Sequence, residues 1–201
     1  MFKLPHALIA ALLLAMAPLA QGAVIVYTAD LSGPAESPPN ASPGTGFAQV
    51  IYDSVGQTLT ISASFQDLVG PTTVAHIHCC TATPLTDNVG VAVTPGTLPG
   101  FPVGVTSGSY DPVVIDLTAT ASYTAGFLTN FGGGTPAGAE AALIAGMNGD
   151  TAYFNIHSSV FPAGEIRGFL APIPLPAGAW LLASAVAVLA PLRRRVLRPR
   201  S

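Results

Sequence analysis

The sequence predicts an all-β fold, an antiparallel β-sandwich carrying one or two short helices. Between its two ends the chain alternates short runs rich in Val, Ile, Thr, Phe and Tyr with Pro/Gly/Asn/Ser clusters. The clusters recur at the close spacing of an all-β sandwich or barrel, and neither heptads nor a strong internal repeat divides the segment. From Ala23 to Ala171 the length suits one domain with its own hydrophobic core.

Strands are expected near Val24–Leu31, Gly46–Asp53, Gln57–Phe65, Thr72–His78, Val89–Val93, Val113–Leu117, Thr151–His157 and Glu165–Leu170. Ser54-Val55-Gly56 joins the second and third as a hairpin. Helices are expected over Ser122–Asn130 and Pro136–Gly146, the second with Thr135 as N-cap and Pro136 at its first position. Between Pro95 and Pro112 the Gly/Pro density predicts a long irregular loop.

The ends read as addresses. Residues 1–22 have the layout of a signal peptide: Lys3, an apolar core from Ala7 to Ala17, and Ala20 and Gly22 as small residues before a cleavage site. At the other end, an uncharged stretch from Ala177 to Leu192 precedes Arg193-Arg194-Arg195 and two further arginines. As a helix it would extend roughly 24 Å, enough to cross a bilayer of ~30 Å core with snorkelling arginines or local thinning. The arginines place the tail in the cytoplasm and everything upstream outside it. A plain C-terminal membrane anchor would show the same layout.

Ile173-Pro174-Leu175-Pro176-Ala177, the hydrophobic stretch and the arginine cluster together resemble the PEP-CTERM class of bacterial sorting signals in its VPLPA-like variant. Leu175 and Ile173 stand where the family has Glu and Val. The resemblance makes 172–201 a sorting signal, with Pro174, Pro176, Arg193, Arg194 and Arg195 as its marks. It implies signal peptidase and a membrane-embedded exosortase as processing partners. It also implies an inner-membrane precursor that ends at the cell surface or in the extracellular matrix of a Gram-negative bacterium.

Charge narrows the function. All ten acidic residues fall between Ala23 and Ala171, where Arg167 is the one basic residue, a formal charge of −9. Such a surface repels phosphate, so nucleic acid is set aside as a partner.

Two segments carry the specificity: Val74-Ala75-His76-Ile77-His78-Cys79-Cys80, and Ala152-Tyr153-Phe154-Asn155-Ile156-His157-Ser158-Ser159 leading to Gly164-Glu165-Ile166-Arg167-Gly168. With Gly33-Pro34-Ala35-Glu36 before them, they resemble the CHRD domain, named after chordin, over about Ala29 to Leu170. Ala163 replaces the first glycine of the last family box. The resemblance implies a β-rich extracellular module without an established catalytic activity.

Strand alternation adds a reading of its own. His76, His78 and Cys80 share one face of their strand, and Tyr153, Asn155 and His157 share the polar face of theirs. If the two strands are neighbours, three histidines converge. Such a set can present imidazoles to copper or zinc, with Cys80 as a soft fourth ligand. The alternative is that the histidines hydrogen-bond across the sheet and fix strand pairing. Cys79 and Cys80 allow three states: a vicinal disulfide, an intermolecular bond, or thiols serving as ligands. Arg167 is expected in an ion pair or in bidentate bonding of a loop, with Glu165 two residues away on its strand face.

No catalytic residue is assigned. The serines lack a nucleophile-elbow context, and Gly132-Gly133-Gly134 precedes a helix in a domain almost without positive charge. The function expected is structural or adhesive, a surface or biofilm-matrix protein binding polysaccharide or protein. The competing reading is a metal-binding or redox module built on His76, His78 and His157.

Overall fold

The computed structural model describes residues 23–173, so the expected signal peptide (1–22), transmembrane helix (177–192) and arginine tail, and all but the first residue of the Pro box, lie outside the described residues. Among the described residues no helix is long and apolar enough to cross a membrane.

The apolar/polar alternation produces strands where the sequence places them: β1 (Val24–Ser32), β2 (Thr45–Asp53), β3 (Thr58–Gln66), β4 (Thr72–His78), β5 (Val91–Val93), β6 (Gly108–Asp116), β7 (Tyr153–Ser158) and β8 (Ile166–Phe169). A two-residue β9 (Ala171–Pro172) adds to β1. They form one antiparallel nine-stranded sheet in the order β5-β4-β7-β8-β1-β2-β3-β6, curled into a half-barrel around an apolar interior. Inward-pointing residues alternate as expected: Tyr27, Ala29 and Leu31 on β1, Ala48 and Val50 on β2, Leu59, Ile61 and Phe65 on β3. The β2–β3 link is the hairpin expected, its Asp53 carboxylate accepting bonds from the Val55 and Gly56 amides at 2.8 and 3.1 Å.

The loop expected over Pro95–Pro112 is shorter than that. β6 begins at Gly108, because Gly108, Ser109 and Tyr110 pair with Phe65, Ser64 and Ala63. Pro112 is tolerated inside a strand since β6 is an edge and the register slips beside it, between Ile61 and Ala63. The remaining loop runs along the part of β4 that β5 does not reach: Leu98 N donates to Ala75 O, Gly104 N to Thr72 O, and Thr72 N to Val105 O. These bonds, with Tyr110 Oη donating to Pro99 O at 2.9 Å, draw the two ends of the curled sheet toward each other.

The first expected helix divides into a 3-10 turn at Thr120–Ser122 and α1 (Ala125–Asn130), because the Thr124 side chain caps the Phe127 amide and restarts the helix there. The second is α2 (Pro136–Asn148), capped by Thr135 on Gly138 N with Pro136 in the first turn, and it runs two residues beyond Gly146. Ala139, Leu143 and Met147 of α2 complete the core.

β7 is buried along its whole length, on both faces. Phe154 and Ile156 enter the apolar interior, and the opposite face is covered by loops. The molecule therefore has a second, polar layer on the outer side of β4, β7 and β8. Gly168 lets β8 approach β1, since a Cβ there would collide with the Asp30 carbonyl.

Candidate metal centre

The β4–β7 pairing sets Ala75 opposite Ile156, His76 opposite Asn155, and His78 opposite Tyr153. Side-chain alternation then sends His76, His78 and His157 to the outer face, as the sequence predicted if the strands were neighbours. Their ring centroids lie 5.3 to 5.8 Å apart, and one nitrogen from each lies within 4.8 Å of the others. The rings are 6, 8 and 8 % exposed.

Each ring is oriented by a backbone carbonyl. His76 Nε2 meets Gly96 O at 2.7 Å, His78 Nδ1 meets Val89 O at 2.8 Å, and His157 Nδ1 meets Pro162 O at 3.0 Å. A carbonyl only accepts, so these nitrogens carry the protons and the opposite ones hold lone pairs. The opposite ones, His76 Nδ1, His78 Nε2 and His157 Nε2, are buried without a hydrogen-bonding protein partner. A water molecule has two hydrogens and would satisfy two of these three acceptors. Imidazoles whose second nitrogen is tied to a carbonyl are the form that ligates metals.

Burial is the main cause of a lowered pKa at all three rings, against the opposing carbonyl bonds, and it takes His78 to about 4. The cluster is thus neutral at pH 7. Below about 6.5 the unfolded chain takes up protons that the folded cluster refuses, so stability falls as pH drops toward 4. Glu36 runs the other way: burial lifts its carboxyl to about 7 despite Arg167, so stability is lost as pH rises from about 4.5 through 7. The three imidazoles act together against the one carboxyl. The metal-free protein is expected to unfold at lower urea at pH 5 than at pH 7, with a shallower dependence in His157→Gln and a steeper one in Glu36→Gln.

Tyr153 joins the cluster. Its ring stacks on His78 at 4.7 Å and 6°, and its hydroxyl donates to the Val89 carbonyl that also orients His78. Arg167 lies over the other side of Tyr153, its guanidinium carbon 4.7 Å from the ring centroid.

The ion pair expected between Arg167 and Glu165 is not formed. Arg167 pairs with Glu36 at 3.9 Å and donates to Ala35 O, Asp87 O and Asn88 Oδ1 at 2.6, 2.9 and 2.7 Å. It clamps two loops onto the outer face, one of them leading directly into Val89. Glu165 instead accepts from Ser42 Oγ at 2.6 Å and from the Val69 and Gly70 amides at 2.5 and 3.3 Å. Burial pushes its carboxyl up, but bonds from Ser158, Ser42, Val69 and Gly70 outweigh that and hold it below the ordinary range. The two side chains part because Glu165 precedes β8, where the chain has not yet settled into strand alternation.

Cys80 does not join the histidines. β4 ends at His78, and the chain then turns both sulfurs toward α2, where Cys79 and Cys80 are joined as a vicinal disulfide. A Cβ on Gly146 would meet both sulfurs, so that glycine lets the helix lie against the disulfide. Glu36 and Tyr153 are the partners that sequence reasoning missed at this site. Strand parity already placed Tyr153 on the polar face, whereas nothing local paired Glu36 with Arg167.

A curled antiparallel sheet bearing a buried three-histidine cluster on its outer face defines the class, a β-rich domain with a preformed set of imidazole donors. The chain matches the CHRD domain over residues 27–170, and it belongs to that family. No curated protein matches it, and no solved structure does.

Proposed function

We propose that the protein is an exported CHRD-domain module that binds one copper or zinc ion through His76, His78 and His157, acting by binding rather than catalysis. The observation that carries this reading is the set of three unpartnered, buried imidazole nitrogens. A buried acceptor without a partner costs about 1–3 kcal/mol, and the fold collects three at one point. Bonds across the sheet would have explained the histidines had their free nitrogens met Asn155 or Tyr153, but each ring bonds a loop carbonyl instead. Cys80, tied to Cys79, is not part of the proposed donor set.

The export route belongs to the same proposal: signal peptidase at the front, an exosortase-type enzyme at the Pro box, and residence at the cell surface or in the matrix. CHRD membership fits such an extracellular module. A structural or adhesive contact with polysaccharide or a surface protein draws its support from the acidic ectodomain, with ten carboxylates against Arg167.

The test is elemental analysis of the full chain purified from cells grown with added copper and zinc, beside His78→Gln. About one ion per chain, lost in the variant, is expected for a three-imidazole site. A chain that takes up neither ion on loading would return the histidines to a purely structural role.

A further inference from the structure

We infer that the histidine cluster selects copper(I), a monovalent ion content with three ligands, over zinc(II) and other divalent ions. This rests on the metal-binding reading above and names the ion that the same site takes.

The donor set carries no charge. Among the described residues the group consists of His76, His78 and His157, and no carboxylate joins it. Behind the rings stand the carbonyls of Gly96, Val89 and Pro162, where a carboxylate in the same position would have brought negative charge to the metal. Both thiols are committed to each other.

The formal charge stacked against the cluster is a cation. Tyr153 lies flat on His78 at 4.7 Å, and the Arg167 guanidinium lies 4.7 Å above Tyr153. Glu36 answers the arginine at 3.9 Å but does not reach the group of ligand nitrogens. A divalent ion entering this layer would be buried with no anion among its ligands and a guanidinium one ring away. The cost of burying an ion grows with the square of its charge, and repulsion grows with the charge itself. A monovalent ion therefore incurs roughly a quarter of the first and half of the second.

Coordination number points the same way. Zinc in protein sites is four-coordinate, its fourth position filled by a protein ligand or by water. Here the three nitrogens that hold lone pairs are closed off from solvent, and no fourth side chain joins them. Copper(I), with the same filled d shell as zinc(II) but a single positive charge, needs less donation from its ligands and accepts a trigonal set of three nitrogens without a fourth.

The deciding experiment is a pair of competition titrations on the metal-free full chain at pH 7. Copper(I) is titrated without oxygen against a coloured copper(I) chelator, and zinc(II) against a coloured zinc indicator. Copper(I) is expected to bind one per chain and at least about 100-fold more tightly than zinc(II), with X-ray absorption showing three nitrogen neighbours. A ratio below that, with either ion still bound one per chain, overturns the selectivity and leaves the metal site standing. Failure of both ions to bind overturns the site and the selectivity together.

Discussion

Replacing Arg167 by methionine is expected to cost about 3–5 kcal/mol of stability, the range found when one member of a buried ion pair is removed. Arg167 is 2 % exposed, and its fork holds Ala35 O, Asp87 O and Asn88 Oδ1 as well as facing Glu36. Methionine fills the volume but leaves three acceptors without their donor and removes the cation that favours the charged form of the buried Glu36 carboxyl, which must then take up a proton. Urea unfolding followed by far-ultraviolet circular dichroism measures the loss. In the double variant Arg167→Met/Glu36→Gln part of it should return, because glutamine is neutral there without taking up a proton. A loss under about 1 kcal/mol in the single variant would reduce the pair to the worth of a surface contact.

Metal should act in the opposite direction and almost as strongly. At a free ion concentration a thousandfold above Kd, binding to the folded state alone adds about 4.1 kcal/mol. For a domain of this size that corresponds to a rise of roughly 8–16 °C in the thermal midpoint. The rise should vanish in His78→Gln, and a wild-type chain whose midpoint does not move on loading would argue against the site.

Much of this was legible in the residues, for reasons that differ from element to element. The strands and the α2 cap could be read because alternation and capping are local, so Thr135-Pro136 announces its helix without help from the rest of the chain. The convergence of the histidines was readable one step further out, since parity fixes which face each ring takes once β4 and β7 are neighbours. What escaped were facts set by distant contacts. Gly108–Pro112 looked like loop because its Gly and Pro content argues against a strand, and only pairing with β3 and an edge position overrule that. The partner of Arg167 lies far away in sequence, on the turn after β1, and no spacing rule reaches it. The fate of Cys80 depended on where β4 stops. Two residues more of strand would have set its sulfur on the face of the imidazoles.

The register of β4 against β7 has a consequence in time. His76 and His78 leave the ribosome, and cross any membrane, well ahead of His157, and strands β5 and β6 and both helices intervene. Until β7 docks, the chain holds at most a pair of imidazoles, too few to retain a scarce ion against competing chelators. The site is therefore a late product of folding, complete only where the finished sheet exists. Whichever compartment hosts that last docking step decides which metals the proposed site would meet.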